Sequence, residues 1–239
     1  MSADADTADL ISLERRDNVM VVHLDDGKAN ALSFAMIDTI MAALAEAEAD
    51  PDIGAVVLHG RDGRFSAGFD LGVMMADDRS ATVNLVADGG DLVRTIYGCG
   101  VPVVAACTGH ALAAGALILL GCDHRIGADV AAKIGLNEVA IKMVLPDWAL
   151  TIAQVRLSNR HKQRAIMNAR VTGPADAVDV GFLDEIVPDD ELLDRAVASA
   201  AELAATLDPG AYRGSVKAFR GPTLETMGEQ IARDRASVA

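Results

Sequence analysis

The fold of this chain is decided by one stretch, GHALAAGALILL, which covers Gly109 to Leu120. The residues before it, 102–107, form an apolar run that predicts a buried strand. Residues 113–120 predict a helix that is apolar on all sides and is therefore buried. The longest apolar run, Ala111 to Leu120, is only about ten residues long, which is too short to cross a bilayer. A buried strand followed directly by a buried helix indicates an α/β protein.

Strand and helix patterns alternate on both sides of this stretch. Strands are predicted at residues 11–15, 19–24, 55–59, 102–107, 124–128, 132–136 and 182–187. Helices are predicted at residues 33–49, with Ser33 as N-cap, and at 81–97, 113–120, 149–157, 161–169, 175–180 and 189–205, followed by two more helices to the C-terminus. We therefore expect an α/β core over residues 10–190 and a C-terminal helical region over residues 191–239.

Composition limits the partners of this chain. Its 239 residues fit one domain, and 51% of them are apolar while only 3% are aromatic, which predicts an aliphatic core. The formal net charge of -14 disfavours nucleic acid and anionic membranes as partners. We therefore expect neither, although a local basic patch could still hold an anionic ligand.

Cysteine and histidine positions indicate a reducing compartment and no metal. Cys99, Cys107 and Cys122 are odd in number and lie in apolar surroundings, which predicts reduced core thiols in a cytoplasmic protein. The five histidines show no metal-ligand spacing. The polar, acidic segment Met1 to Asp9 has no apolar region of the secretory type, so no secretory signal is expected.

Two small-residue segments could supply main-chain hydrogen-bond donors. Phe65 to Asp70, FSAGFD, follows a predicted buried strand, and Gly109 to Gly115 opens the buried helix. N–H groups at a helix start are unpaired and can hold a developing oxyanion. An ordinary strand-to-helix turn explains the first segment equally well, and tight helix packing explains the second better when it is taken alone. A nucleophile elbow is excluded at Ser66, since Arg64 occupies its first glycine position.

Glu138 is the candidate acid/base residue. It follows the apolar segment Ile134-Gly135-Leu136, and a carboxyl group in apolar surroundings has a raised pKa and can act as a base near neutral pH. A lone glutamate is more often a solvated loop residue. Asn137 could be a turn residue or a polar contact beside the base.

Together these segments resemble the crotonase family, also called the enoyl-CoA hydratase/isomerase family, over roughly residues 10 to 220. The resemblance rests on four ordered segments, namely residues 28–32 (KANAL), 65–71 (FSAGFDL), 109–115 (GHALAAG) running on to Cys122-Asp123, and 135–138 (GLNE). It implies a spiral of ββα units with a C-terminal helical oligomerisation region. It also implies an acyl-CoA thioester substrate, of which coenzyme A is a part, and no metal or redox cofactor. It further implies assembly as a homotrimer or dimer of trimers.

The resemblance also implies the site residues. Glu138 would be the base, and the N–H groups of Ala67 and Ala114 would be the oxyanion donors. Ala114 replaces the family's more usual glycine, so an extra methyl group can narrow the pocket. The residues expected to bind substrate are Lys28, Ala29, Ala31, Ser66, Ala67, Gly68, Phe69, Asp70, Leu71, Leu117 and Asn137.

Leu117 is the decisive departure from the family pattern. Hydratases of the family carry a second catalytic glutamate there, and leucine cannot position water. The sequence therefore resembles mitochondrial-type enoyl-CoA isomerases, which convert 3-enoyl-CoA to trans-2-enoyl-CoA in fatty-acid degradation with one glutamate.

A hydratase, or a hydrolase of thioesters or carbon–carbon bonds, remains an alternative, with Asp70 or Asp147 as the further acid/base group. A catalytically silent acyl-CoA-binding or assembly subunit is the alternative of another class.

Overall fold

A computed structural model describes residues 10–238. The expectation about a secretory signal rests on Met1 to Asp9 and lies outside the described residues. The strands are β1 (Ile11–Arg16), β2 (Val19–Leu24), β3 (Ala31–Leu32), β4 (Ala55–His59), β5 (Gly63–Ser66), β6 (Gly68–Phe69), β7 (Val103–Cys107), β8 (Gly109–Leu112), β9 (His124–Ala128), β10 (Ile134–Gly135) and β11 (Glu185–Val187). The helices are α1 (Phe34–Ala49), α2 (Leu71–Met74), α3 (Arg79–Gly98), α4 (Ala114–Gly121), α5 (Asp147–Arg156), α6 (Lys162–Ile166), α7 (Pro174–Val180), α8 (Leu192–Thr206) and α9 (Pro209–Ala236).

The main sheet has the strand order β1-β2-β4-β7-β9-β11. Strand β1 pairs antiparallel with β2, whereas every later neighbour pair in this sheet is parallel. Strands β5, β8 and β10 form a second, parallel sheet in the order β10-β8-β5. The chain therefore repeats one unit: a strand in the main sheet, a strand in the small sheet, then a helix. This repeat confirms the predicted spiral of ββα units.

The main sheet is buried on both faces. Alternate residues of β4 point to opposite sides, so Val56 and Leu58 pack in one apolar cluster with the helices α1, α3, α4 and α5. Val57 packs in the other cluster, together with Leu192 and Ala196 of α8. The predicted strands are continuous apolar runs because a parallel sheet covered by helices on both faces needs them.

Local sequence signals set the first helix as predicted. Ser33 accepts a hydrogen bond from the N–H of Met36 at 3.2 Å and caps α1. The three cysteines are free and buried, as expected for core thiols. No helix within residues 10–238 combines the length and the apolar composition that a bilayer span requires.

The prediction of two helices after residue 205 is wrong. The chain instead forms one continuous helix, α9, that contains Pro222. Proline removes one backbone donor and usually breaks a helix. Contacts on both sides of Pro222 hold α9 in line: Arg220 pairs with Asp123, and Met227 is fully buried. The predicted helix at residues 189–205 starts later, at Leu192, after a 3₁₀ turn. The predicted division of the chain at residue 190 stays a prediction.

Candidate active site

A cavity of about 780 Å³ lies between β3, β6, α4, α5 and the segment that follows β10. It is lined by Leu10, Asp26, Lys28, Ala29, Ala31, Ser33, Ala67, Phe69, Asp70, Leu71, Met74, Val86, Ala113, Leu117, Asn137, Glu138, Ile141, Met143, Val144, Pro146 and Trp148. The lining joins segments that are up to 138 positions apart in sequence, from Leu10 to Trp148. Ten of the residues predicted from the sequence are among them, and three, Ser66, Gly68 and Ala114, are not.

Glu138 is held at the cavity wall by the backbone that follows β10. Its carbonyl oxygen accepts the N–H groups of Ile141 and Met143 at 3.0 and 2.9 Å, which forms a tight 3₁₀ turn. The residue is only 7% exposed, and its Oε2 atom is buried without a hydrogen-bond partner among the described residues. Burial raises the pKa of the Glu138 carboxyl to about 7, against the smaller effect of a backbone hydrogen bond. A group with this pKa can both accept and return a proton at neutral pH.

Leu117 lies on the wall of the same cavity and is 1% exposed. The other acidic residues that line the cavity are Asp26 and Asp70. Asp26 accepts hydrogen bonds from backbone N–H groups of its own loop, including that of Ala31 at 2.9 Å. Asp70 caps α2 by accepting the N–H of Gly72. Glu138 is therefore the cavity carboxylate that has a buried oxygen without a partner.

The start of α4 provides the first candidate main-chain donor. Helix α4 begins at Ala114 and has no side-chain cap. The N–H groups of Ala116 and Leu117 donate to the carbonyl of Ala113, whereas the first-turn N–H of Ala114 has no such acceptor in the helix. A Cβ built on Gly68 would lie 3.4 Å from the Ala114 nitrogen, so this donor lies beside β6.

The structure assigns the Ala67 N–H a different role from the predicted one. It donates to the carbonyl of Ala29 at 3.0 Å, which occupies its proton. The Asp70 N–H donates to Leu32 at 3.1 Å, and consecutive N–H groups of a strand point to opposite edges, so the Phe69 N–H points away from β3. Phe69 also lines the cavity. Phe69, not Ala67, is therefore the second candidate donor, and no local sequence signal identifies it because the pairing of β6 with β3 decides which N–H is free.

Two of the predicted residues, Ser66 and Gly68, lie outside the cavity lining and shape the backbone next to it. Ser66 is buried, and its hydroxyl donates to the carbonyl of Asn30 at 2.7 Å. Gly68 has a φ of +95° and packs so closely that a Cβ would lie 3.0 Å from the carbonyl oxygen of Leu112. Glycine is required there because other residues rarely adopt this conformation. These two residues shape the backbone that carries the donors but do not line the cavity.

Three other polar residues considered from the sequence differ in their relation to the cavity. Asn137 lines the cavity beside Glu138, and its Oδ1 atom is buried without a partner among the described residues. Lys28 also lines the cavity, and its neighbour in the chain, Ala29, does so as well. Asp147, considered above as an alternative acid/base group, pairs with Arg233 at 3.4 Å on the surface and lies outside the cavity lining.

Sequence reasoning missed much of the apolar lining of the cavity. Its walls are the side chains of Met74, Val86, Ile141, Met143, Val144 and Trp148. They come from α2, α3, the loop after Glu138 and α5, and no local motif connects them. Trp148 is the one tryptophan of the chain and is fully buried. The cavity lining therefore combines polar residues such as Lys28 and Glu138 with this apolar group that includes Trp148.

Comparison with known proteins places this geometry in a family. The profile of the enoyl-CoA hydratase/isomerase family matches residues 14–237. A crystal structure of an enoyl-CoA hydratase/isomerase family protein from Pseudomonas syringae superposes with a TM-score of 0.92 at 36% identity, covering 98% of this chain and 100% of that one. The chain belongs to the enoyl-CoA hydratase/isomerase family, and its fold is the crotonase fold.

Two curated relatives carry different activities in their names. The mouse mitochondrial enoyl-CoA delta isomerase 1 is 31% identical over 189 residues, which is 78% of this chain and 65% of the mouse protein. A probable enoyl-CoA hydratase of Mycobacterium tuberculosis is 33% identical over 204 residues, which is 82% of this chain and 76% of that protein. The match thus spans somewhat less than two thirds of the mouse enzyme. The family's enzyme class follows from these relatives, while the choice between isomerase and hydratase does not.

Proposed function

We propose that this protein is an enoyl-CoA isomerase that converts 3-enoyl-CoA to trans-2-enoyl-CoA in fatty-acid degradation. Glu138 removes a proton from C2, the electrons delocalise over the thioester as a dienolate, and Glu138 returns the proton to C4. The double bond thereby moves from C3–C4 to C2–C3 with no net gain or loss of atoms. The observation that carries the proposal is the buried Glu138 carboxylate, whose Oε2 atom has no partner, at a cavity wall completed by Leu117.

The dienolate oxygen would be held by the N–H groups of Phe69 and Ala114. One donor comes from a strand edge and the other from the uncapped start of α4, so both are rigid parts of the backbone. Donors of this kind act where charge develops, and each contributes about 3 kcal/mol to stabilisation of the transition state. The N-terminal end of α4 adds a favourable dipole.

Leu117 favours isomerisation over hydration. Adding water to a double bond requires a group that positions the water and a group that protonates the product, whereas moving a proton between two carbons of one substrate requires one base. Leu117 offers no hydrogen bond, and the Asp70 carboxylate is engaged at the start of α2. The proton-transfer reaction fits this set of groups better.

The part of the cavity next to Lys28 would receive coenzyme A. Lys28 is a cation in the cavity lining, and a local cation is needed because the chain as a whole is strongly acidic. Ala29 and Ala31 would contact the pantetheine arm. We further propose a cytoplasmic homotrimer or dimer of trimers, assembled through the C-terminal helical region, that needs no metal or redox cofactor and binds neither nucleic acid nor membrane.

The test is incubation of the protein with 3-enoyl-CoA and, separately, with 2-enoyl-CoA, each at short, medium and long chain lengths. The absorbance of the conjugated thioester reports isomerisation, and 3-hydroxyacyl-CoA reports hydration. We expect isomerisation that falls 100- to 10,000-fold in Glu138→Gln, the usual range for loss of a general base, with thioester binding retained. Asp147→Asn, which removes a carboxylate outside the cavity, is the matched control and should keep full activity.

Two results would reject the isomerase proposal. Rapid formation of 3-hydroxyacyl-CoA from 2-enoyl-CoA, with Leu117 in place, would make the protein a hydratase. Tight thioester binding without any turnover, unchanged in Glu138→Gln, would make it a silent acyl-CoA-binding subunit.

A further inference from the structure

Ala113 has a backbone conformation that alanine rarely adopts. Its φ and ψ are 50° and -122°, which is the geometry of the first central residue of a type II′ turn, a position dominated by glycine. Residues held in such regions are strained, and they persist only where the surrounding structure fixes them. Strain of this kind is concentrated at ligand sites. The side chain is the part of Ala113 that a glycine at this position would lack.

Hydrogen bonds on both sides of Ala113 fix this conformation. Its N–H donates to the carbonyl of Gly135 at 3.0 Å, and its carbonyl accepts the N–H groups of Ala116 and Leu117 at 2.9 and 3.1 Å. All of these bonds use backbone atoms. A glycine would make the same bonds without the strain, so the methyl group is what alanine adds.

The methyl group of Ala113 lies at the cavity beside the candidate oxyanion donors. Ala113 lines the cavity, whereas Ala114, whose methyl group was expected to narrow it, does not. A Cβ built on Gly68 would lie 3.1 Å from the Ala113 Cβ, so the methyl group packs against β6 just before Phe69. It therefore lies next to both N–H groups that would hold the thioester oxygen.

A backbone hydrogen bond links Ala113 to the segment that carries the base. Gly135 is three residues before Glu138, so the Ala113–Gly135 hydrogen bond ties Ala113 to the segment that carries the base. The base must reach C2 of the acyl chain. A thioester whose oxygen lies at the two donors and whose C2 lies within reach of Glu138 would therefore bring C2, rather than coenzyme A, towards the Ala113 methyl group.

We propose that Ala113 is a specificity-determining residue whose methyl group excludes acyl-CoA thioesters that carry a branch at C2. This proposal rests on the proposed acyl-CoA substrate. Straight chains, and chains branched farther from the thioester, enter the cavity, while a methyl substituent on C2 collides with the Ala113 methyl group.

The test measures binding of saturated thioesters, which cannot be turned over by isomerisation. The dissociation constants of butanoyl-CoA, 2-methylbutanoyl-CoA and 3-methylbutanoyl-CoA are measured by calorimetry for the wild type and for Ala113→Gly. We expect the wild type to bind 2-methylbutanoyl-CoA at least about 10-fold more weakly than butanoyl-CoA, the lower end of what one methylene is worth in an apolar pocket. In Ala113→Gly this ratio should fall to near one, with binding of 3-methylbutanoyl-CoA unchanged.

Ala169→Gly is the matched control. Ala169 is also a buried alanine with positive φ, at 46°, and it lies outside the cavity lining. It should leave all three dissociation constants unchanged, and circular dichroism should show both variants folded because glycine suits both positions.

Equal wild-type binding of butanoyl-CoA and 2-methylbutanoyl-CoA would overturn the role of Ala113, and so would an unchanged ratio in Ala113→Gly. Absence of binding by any thioester would overturn it as well, together with the proposed substrate. Failure of the isomerase proposal alone is distinct, since it appears as bound 3-enoyl-CoA that is never converted.

Discussion

Two carboxylates, Asp123, which contacts Tyr212 and Arg220 of α9, and Glu138 at the cavity, show opposite arrangements. Asp123 accepts the Val103 N–H at 2.8 Å and the Tyr212 hydroxyl at 3.0 Å, and it pairs with Arg220. Glu138 has a buried oxygen with no partner among the described residues, and its pKa is raised to about 7. The Asp123 site stabilises the fold because both carboxylate oxygens have hydrogen-bond partners. The Glu138 site leaves the charged form unsupported, which lowers stability but supplies a base near neutral pH.

The largest effect on stability is expected from Asp123→Ala. The variant leaves Arg220, whose side chain is 14% exposed, without its partner, and breaking a buried pair in this way costs about 3–5 kcal/mol. Urea unfolding measures the change. Asp194→Ala is the control, because Asp194 pairs with Arg16 while its side chain is 86% exposed, and such pairs contribute about 0–1 kcal/mol. Equal effects of the two substitutions would remove the contrast between a structural and a surface carboxylate.

Glu138→Gln should increase stability above neutral pH. The folded pKa of about 7 exceeds the reference value of 4.5, so the folded state holds a proton that the unfolded state loses between these values. Stability of the wild type therefore falls as pH rises from about 4.5 to 7 and then levels off. The shift corresponds to about 3 kcal/mol, so urea unfolding should show a gain approaching this for Glu138→Gln at pH 8. A much smaller gain is expected at pH 5, and a gain independent of pH would contradict the burial of this charge.

The activity should follow the same titration. Because the base must be ionised to accept a proton, kcat/KM should fall about tenfold per pH unit below pH 7 and be constant above it. Initial rates with a 3-enoyl-CoA between pH 5 and 8.5 measure the profile. A profile flat down to pH 5 would show that Glu138 has an ordinary carboxyl pKa or is not the base.

Tyr212→Phe should have the smallest effect. It removes one hydrogen bond to Asp123 while the bonds from Val103 and Arg220 remain, which costs about 1 kcal/mol. Urea unfolding of this variant alone and combined with Asp123→Ala tests the coupling. The two effects should be less than additive, because Tyr212 acts through Asp123; full additivity would show that its hydroxyl has another role.

Much of the fold was predictable because its signals are local. The Ser33 cap, the apolar strands and the small residues of Gly109 to Leu120 each specify an element from neighbouring residues. The course of α9 was not predictable, because its continuity across Pro222 depends on contacts with distant residues. One of these is the Arg220–Asp123 pair, which joins positions 97 apart.

The site divides in the same way. Glu138 and Leu117 were identifiable because family resemblance and side-chain chemistry are visible in the sequence. The choice between Ala67 and Phe69 as a donor depends on which N–H is already bonded, and that follows from the pairing of β6 with β3. The apolar lining contributed by Val86 and Trp148 depends on helices that meet only in the folded chain.

The sequence by itself determined the family segments, the single glutamate and the leucine at the position of a second one, because these are matters of residue identity and order. Tertiary structure decided which backbone N–H is free, which alanine methyl group lines the cavity and how far the pKa of Glu138 is raised. Those properties depend on burial and on hydrogen-bond partners, and both are supplied by segments far away in the chain.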